Sequence, residues 1–499
     1  MIYSKKFFIL VLIPIIAHMP LFIINNGWDG SIIDYGFSIG DLSGIKNFYF
    51  EISSNFQFYI IRFLYFLKII TNLPNELIFD LFTGIFLILF CYEVKRFSEK
   101  IFNLDKQHSL FCFIFALIFP VWNSLTEINL GLYLFCFYLA ISGYRLFSNT
   151  KNIFKFIGII LILLSFSIKS NFAFVLALCL TENFYNYVQK KKINYNSIII
   201  IFSISILGYL VNSFYFPPYG NYSGYNQIEL SNLKWNIFIK NIKDYLSFLI
   251  YFILAPIFYI IFFKYKFKKK FMILNKDFKL KSLSLFFLML MIMFPYVLVQ
   301  KSTDIFNFTN FDSRHVFLLS VPFSIFLAII IKKIKTEINV KTSNLFICII
   351  LLQSVILLTG SYFAKYNYTL IDQNLIKSFQ KIKEPSSGYI IISSKKLQRN
   401  FYHLNNLAYK AYGKAAWIVL FDNNVDLQKK IEIENFFADY KKIFSKKVYS
   451  VKYVFNNMNK NCISVYDLKN EINPNSYFIK NFFINKGKYF KLSKILEKC

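Results

Sequence analysis

Long apolar stretches alternate with short basic connections along the first 363 residues of the chain. Stretches such as those around 157–164 and 198–201 approach or reach the roughly 20 residues that a helix needs to cross a bilayer. We predict eleven spans, at 7–25, 76–92, 109–122, 129–146, 153–169, 171–187, 197–216, 245–263, 282–300, 316–331 and 344–363. The pattern predicts a polytopic α-helical membrane protein. Dividing 109–122 or 153–187 differently changes the count by one or two.

The pattern changes beyond residue 363, where long apolar stretches end and Lys and Asn become more frequent. Strands are predicted near 388–394, 416–422, 447–455 and 462–467, and helices near 397–412 and 427–444. This alternation is typical of a small α/β domain. We therefore divide the chain into a transmembrane domain, 1–363, and a C-terminal domain, 364–499. An odd number of spans puts the second domain on the opposite side of the membrane from the N-terminus.

Composition and charge agree with a protein that has lipid as its solvent. The chain is 56% hydrophobic, only 17% charged and has a mean hydropathy of +0.45. Its net charge of +30 is also a feature of nucleic-acid binding proteins. With a cytoplasmic N-terminus, however, the cytoplasmic connections and span ends carry 24 Lys and Arg residues, and the other side before residue 364 carries nine. The charge is therefore explained by orientation and by contact with anionic membrane lipids, and we expect no nucleic-acid partner.

Acidic residues are concentrated in the first outward loop, 26–75. Asp29, Asp34 and Asp41 precede an amphipathic stretch, 56–63, that reads as a helix lying in the membrane interface. Each acid alone is explained equally well by a turn-capping role. As a set at headgroup depth, they are candidates for a general base that deprotonates an acceptor hydroxyl. They are also candidates for ligands of a divalent cation, Mg²⁺ or Mn²⁺, held against a lipid-linked phosphate.

Other candidate residues lie at the outward ends of later spans. Glu127 follows the third span, either as a second site acid or as an acid that interacts favourably with the dipole of the next helix. Arg314 and His315 precede the tenth span; an Arg fork matches phosphate oxygens, whereas the alternative is an Arg that reaches the interface and pairs with Asp312. Lys169 is a candidate partner for a pyrophosphate or for Glu127, and snorkelling is its commoner explanation.

Two further features of the sequence bear on function: an aromatic loop and the absence of several common motifs. Tyr222 lies in a Tyr-, Gly- and Asn-rich outward loop, 217–225, that suits sugar stacking but also suits interfacial anchoring. The sequence contains no HExxH, no Walker A and no GxGxxG motif, and only four His residues. ATP-driven transport and a histidine metal centre therefore have no support in the sequence, and no cofactor is required by it.

These features together resemble the GT-C glycosyltransferases, in particular the bacterial enzymes that modify O-antigen, lipopolysaccharide or lipid A, including serotype-converting glucosyltransferases. The resemblance implies a polyprenyl-phosphate-linked sugar donor, a glycan or glycolipid acceptor, and a multi-pass location in the bacterial inner membrane with a cytoplasmic N-terminus. It also implies that Asp29 or Asp34 is the catalytic base and that Arg314 faces the donor phosphate. The Asp-x4-Asp-Tyr arrangement departs from the paired acids of that family, so the choice between Asp29 and Asp34 stays open.

The leading hypothesis is an inverting transfer in which Asp29 or Asp34 deprotonates the acceptor. Arg314 and His315 would hold the departing phosphate, and Glu127 or Asp41 would position the acceptor or a metal. An O-antigen polymerase is the alternative among enzymes, although such proteins rely more on outward arginines than on first-loop acids. A lipid-linked oligosaccharide flippase is the alternative outside enzymes. It is disfavoured because charged residues inside the predicted spans are few.

Overall fold

A computed structural model describes the helical body of the chain and parts of its C-terminal third. The described residues are 12–22, 24, 30–220, 223, 235–262, 276–299, 301, 311–337, 340–380, 389–393, 401–413, 417–421, 463–470 and 490–498. The predicted helix near 427–444 and the predicted strand near 447–455 lie outside these ranges.

The described part of the chain is mainly helical. The helices are α1 (Leu12–Phe22), α2 (Ser31–Ile39), α3 (Ser43–Glu51), α4 (Asn55–Thr71), α5 (Asn75–Phe102), α6 (Lys106–Leu117), α7 (Leu130–Phe147), α8 (Asn152–Ser165), α9 (Ser170–Val188), α10 (Tyr195–Tyr215), α11 (Trp235–Phe262), α12 (Lys276–Leu298), α13 (Ser320–Glu337), α14 (Val340–Gln380) and α15 (Phe401–Tyr412). Two 3₁₀ segments, Pro120–Thr126 and Phe311–Leu319, precede α7 and α13.

Six of the described helices are long and apolar enough to cross a membrane. They are Asn75–Phe102, Leu130–Phe147, Tyr195–Tyr215, Asp277–Leu298, His315–Thr336 and Ser343–Phe363. A seventh span results if α6 and the 3₁₀ segment Pro120–Thr126, which meet at 46°, count as one. Helices α1 and α8 are apolar but shorter. The protein is thus a multi-pass helical membrane protein, with six such helices among the residues described where the sequence predicts eleven spans.

Close packing of α7 against α8 depends on two glycines. A Cβ added at Gly158 would lie 2.4 Å from the backbone nitrogen of Phe147 and 2.6 Å from the carbonyl oxygen of Gly143. Small residues let helix backbones approach in this way, and dense packing is what favours helix association where lipid is as apolar as the side chains. The Gly143–Gly158 crossing therefore fixes α7 and α8 as a tight antiparallel pair.

The long loop predicted at 26–75 contains α2, α3 and α4, which share their own apolar core. Phe37, Ile45, Phe58 and Ile61 are buried in this cluster together with Ile128, which connects it to the start of α7. The amphipathic stretch predicted at 56–63 lies within α4. One face of α4 is buried, and the opposite face exposes large apolar side chains, including Tyr59, Phe63, Phe66 and Ile70.

Basic connections meet at one end of the helix bundle. Lys100 donates to the carbonyl of Ser148, and Lys332 donates to the carbonyl of Asn103. At the other end, Ser54 of the first loop donates to the carbonyl of Ser167, which follows α8. The connections that the charge count assigns to one side of the membrane therefore contact one another in the fold.

Helix α14 is longer than a bilayer requires. Its 41 residues extend about 60 Å, whereas a hydrocarbon core is about 30 Å thick. The apolar window ends at Phe363, and the helix continues to Gln380. The boundary predicted at 363/364 falls inside this continuous helix, so the residues that follow it project beyond the apolar window as part of the same rod.

Four strands form one sheet in the C-terminal part. They are β1 (Tyr389–Ser393), β2 (Trp417–Phe421), β3 (Ile463–Asn470) and β4 (Phe490–Lys498), in the order β2-β1-β3-β4. Strand β1 pairs in parallel with β2 and β3, and β4 is antiparallel to β3. Helix α15 connects β1 to β2 and packs against α2 and α14. This packing joins the C-terminal part to the first loop.

Candidate functional site

The predicted site residue Asp34 is buried on α2 and binds three partners. Its Oδ1 accepts a hydrogen bond from Asn75 Nδ2 at 2.9 Å, at the start of α5. Its Oδ2 accepts from Asn406 Nδ2 at 2.8 Å and forms an ion pair with Lys410 Nζ at 2.8 Å, both on α15. Asp34 is therefore an anchoring point where the first loop, α5 and α15 meet.

The Asp34–Lys410 pair holds both groups in their charged forms. Burial alone would raise the pKa of Asp34, but the charge of Lys410 and the hydrogen bonds from Asn75, Lys410 and Asn406 outweigh it, and the pKa is lowered. Burial alone would lower the pKa of Lys410, but Asp34 and Glu76 outweigh it, and the pKa is raised. Glu76 lies 3.0 Å from Lys410 Nζ. At neutral pH this is an ionised pair, and its carboxylate is a weaker base than a free one.

A second set of buried groups lies one turn before Asp34. Ser31 Oγ is 2.8 Å from His403 Nδ1, and His403 Nε2 is 2.9 Å from Asp372 Oδ2. All three side chains are buried, and they come from α2, α15 and α14. With a neutral ring, Nε2–H donates to Asp372, which leaves Nδ1 to accept the hydroxyl proton of Ser31. We call this set the Ser31 relay.

Glu127 is the other predicted acid that the structure buries at this end of the bundle. It follows the 3₁₀ segment Pro120–Thr126 and pairs with Lys365 of α14, with Nζ and Oε1 3.7 Å apart. A Cβ added at Gly30 would lie 3.0 Å from Cβ of Ile128, so the residue before Ser31 touches the residue after Glu127. The two acids therefore lie in adjoining segments.

Helix α14 also connects the two sets. Lys365 and Asp372 are two helical turns apart on one face, about 10 Å along the axis. The first contacts Glu127, and the second contacts His403. We call the following nine groups, all of them buried except the partly exposed Lys410, the polar cluster: Ser31, Asp34, Asn75, Glu127, Lys365, Asp372, His403, Asn406 and Lys410.

Three other predicted site residues, Asp41, Lys169 and His315, do not belong to the polar cluster. Asp41 accepts the backbone N–H of Ser43 at 2.9 Å, which is a turn contact before α3. Lys169 is half-buried where α9 begins, and burial and the charge of Lys301 lower its pKa. His315 is buried, with its ring centroid 4.7 Å from that of Tyr296.

Two of the predicted stretches contact each other through residues that do not belong to the polar cluster. The rings of Trp122 and Phe317 lie 4.9 Å apart, so the segment that leads to Glu127 packs against the segment that contains His315. Asp29 and Tyr222 lie outside the described residues, as does the side chain of Arg314. Neither a protein-family model nor a curated protein matches this chain.

Several members of the polar cluster were not predicted from the sequence. His403, Asn406 and Lys410 have the spacing of one helix face within the predicted helix near 397–412, which is a signal that sequence reasoning missed. Lys365 and Asp372 share a face in the same way, but they follow the last predicted span. Within the described ranges, no three His, Cys, Asp or Glu side chains are grouped so as to hold a metal ion.

A cavity of about 260 Å³ lies beside the start of α4. Polar groups of Ser53, Asn55, Ser167 and Asn212 line it, together with apolar residues of α8, α9 and α10. A second cavity, of about 210 Å³, lies between α11, α12 and α13 and is almost wholly apolar. The first has the hydroxyl and amide lining that suits a polar ligand, and the second suits a hydrocarbon chain.

Proposed function

We propose that the protein transfers a sugar from a polyprenyl-phosphate donor to a cell-envelope glycan or glycolipid, as an inverting GT-C-type glycosyltransferase. The proposal rests on one observation: the segments that contain Asp34 and Glu127 meet in one polar cluster at the end of the helix bundle. Ionisable groups are seldom buried unless they are paired, and a buried set of them at the end of a bundle is a candidate functional site.

The membrane arrangement is part of the proposal. Eleven spans with a cytoplasmic N-terminus put the basic connections in the cytoplasm and the polar cluster on the periplasmic side of a bacterial inner membrane. The residues from 364 onward then form an extracytoplasmic α/β domain that approaches the acceptor. The contacts among basic connections at one end of the bundle support this orientation.

The roles of individual residues follow the resemblance and the geometry together. Asp29 or Asp34 is the base by resemblance, Glu127 positions the acceptor, and Arg314 with His315 binds the departing phosphate. The ion pair of Asp34 with Lys410 reduces its basicity, which favours a positioning role for this acid. Dependence on Mg²⁺ or Mn²⁺ is measured in the same assay by chelation.

A flippase for lipid-linked sugars is the second candidate, and one ion pair between helices and one buried histidine favour it. Arg145 donates to Glu93 at 2.6 Å within the apolar helices α7 and α5. His18 lies 2.8 Å from the hydroxyl of Tyr362 inside the bundle. Ionisable groups at such depth are also a feature of transporters. An O-antigen polymerase is a further alternative among sugar transferases.

The decisive experiment uses the purified full-length protein in liposomes with undecaprenyl-phosphate glucose and a panel of lipid-linked glycan acceptors. We expect release of undecaprenyl phosphate together with a glucosylated acceptor, and at least a tenfold loss of rate in Glu127→Gln. The matched control is Glu99→Gln, which changes a carboxylate at the basic end. Movement of the donor between leaflets without bond cleavage would instead establish a flippase.

Orientation is tested separately with single cysteines at two exposed positions. Thr150 follows α7 at the basic end, and Pro217 follows α10 at the other end. A membrane-impermeant maleimide added to intact cells with a permeabilised outer membrane should label Pro217→Cys and spare Thr150→Cys. Labelling of both from the same side would overturn the proposed topology.

A further inference from the structure

The geometry points to the Ser31 relay as the proton acceptor of the transfer reaction, with Asp34 as a positioning residue instead of the base. This inference rests on the proposed function. It concerns three residues that come from distant parts of the chain: Ser31 and His403 are 372 positions apart. The hydrogen-bonded order hydroxyl, imidazole and carboxylate is the arrangement by which proteins move a proton from a hydroxyl at neutral pH.

Asp34 is poorly suited to accept the proton. Its Oδ2 has two donors, and its Oδ1 has a third. A carboxylate stabilised in this way holds its negative charge but takes up a proton only at acidic pH. His403, in contrast, has one ring nitrogen bound to a carboxylate and the other bound to a hydroxyl. The Asp372 contact fixes the ring orientation and balances the charge that the ring acquires on protonation.

The step balances as a displacement at the anomeric carbon. The acceptor O–H bond breaks, its oxygen bonds to the anomeric carbon, and the carbon–oxygen bond to the donor phosphate breaks with its electron pair leaving on the phosphate. The acceptor proton passes to Ser31 Oγ while the proton of Ser31 passes to His403 Nδ1. Asp372 stabilises the resulting imidazolium. The ring then returns its proton to solvent after the products separate.

Burial of the relay suits this chemistry. Ser31, His403 and Asp372 are all buried, which shields the relay from bulk water. Among the described side chains, the charged or titratable ones on the helices packed against α15 are Asp34 and Tyr35 on α2, and Cys348, Tyr362, Lys365, Tyr366, Asp372 and Lys377 on α14. Helix α15 itself carries Tyr409, Lys410 and Tyr412 besides His403. Asp34 is neutralised by Lys410, which leaves Asp372 as the anion in direct contact with the ring.

The test measures kcat/KM for sugar transfer against pH in Ser31→Ala, His403→Gln and Asp372→Asn. We expect the wild-type rate to fall on the acid side, where the proton acceptor becomes protonated. Ser31→Ala and His403→Gln should lose roughly 100-fold or more at neutral pH. Asp372→Asn should move the acid limb to lower pH, because the imidazolium loses its anionic partner. A structural role for these residues would change the rate without moving the limb.

The matched control is Tyr409→Phe, which removes a 3.0 Å hydrogen bond from α15 to the carbonyl of Ser38 and leaves the relay intact. Its acid limb should match that of the wild type. An acid limb below about pH 4 in the wild type would identify a carboxylate base and overturn the relay. Covalent labelling of Ser31 by a fluorophosphonate during turnover would also overturn it, because Ser31 would then be a nucleophile. Transfer that is absent in the wild type refutes the proposed function itself, whereas full activity in Ser31→Ala refutes only the relay.

Discussion

Removal of Lys410 should destabilise the docking of α15 more than removal of its partner Asp34, although Lys410 is the more exposed residue. The side chain of Lys410 is 33% exposed, and that of Asp34 is 5% exposed. Lys410→Met leaves a carboxylate in the interior with only two amide donors, from Asn75 and Asn406. Asp34→Asn leaves an ammonium that water still reaches and that keeps Glu76 as a partner.

The magnitude follows from what each variant leaves behind. Loss of one partner of a fully buried ion pair costs about 3–5 kcal/mol. The partial exposure of Lys410 and the two amide hydrogen bonds reduce this to about 2–4 kcal/mol for Lys410→Met, which is about 30- to 900-fold in the open population of α15. For Asp34→Asn we expect about 1–2 kcal/mol, or about 5- to 30-fold.

The open population can be measured by thiol labelling at Ala408. This residue is fully buried on α15, so Ala408→Cys reacts with a charged maleimide only when the helix separates from α2. The labelling rate then reports the equilibrium fraction of the open form, provided that closing is faster than the chemical step. The more exposed cysteine Cys348 is replaced by serine for this measurement, together with Cys462 and Cys499.

Two outcomes would refute this reasoning. Equal and small effects, below about threefold for both variants, would mean that the pair behaves as a solvent-exposed salt bridge. An Asp34→Asn effect larger than that of Lys410→Met would mean that the lysine, and not the carboxylate, pays the greater penalty for burial. The double variant should cost less than the sum of the single ones, because it leaves no buried carboxylate at position 34.

Further predictions concern pH and helix packing. Ionised Asp34, whose pKa is lowered, stabilises the docked helix above about pH 4, and this stabilisation is lost as pH falls through the lowered pKa. Protonated Lys410, whose pKa is raised, stabilises the docked helix below about pH 10.5, and this stabilisation is lost as pH rises through the raised pKa. Ala408→Cys labelling, normalised to a free cysteine peptide, should therefore become faster in acid, as the pH falls through the lowered pKa of Asp34. Gly158→Ala should cost about 1–3 kcal/mol, because its Cβ meets backbone atoms that no rotamer change can move. Gly84→Ala, with nothing within 4 Å of the added Cβ, should be neutral or stabilising by up to about 1 kcal/mol. Thermal unfolding followed with a dye that reacts with the buried cysteines compares the two, and equal midpoints would contradict the packing argument.

Hydropathy predicts apolar helices well because apolar length is a local property of the chain. The predicted stretch 129–146 corresponds to Leu130–Phe147, and 197–216 corresponds to Tyr195–Tyr215. Burial of Asp34 could be suspected from its place between apolar neighbours. Its partners could not, since Asn406 lies 372 positions away and local pattern contains no information on which distant helix packs against α2. A single sequence therefore predicts the elements and two acids of the site, Asp34 and Glu127, but not the residues that complete it.

The polar cluster also changes how the C-terminal part is understood. Composition separates residues 364–499 from the spans, but α14 crosses that boundary and carries Lys365 and Asp372 to the cluster. Helix α15 then supplies His403 and Lys410 to partners in α14 and α2. Separation of α15 from α2 and α14 would break the ion pair and the relay together. The C-terminal part is therefore a structural component of the site, and its docking and the chemistry of the site depend on the same buried groups.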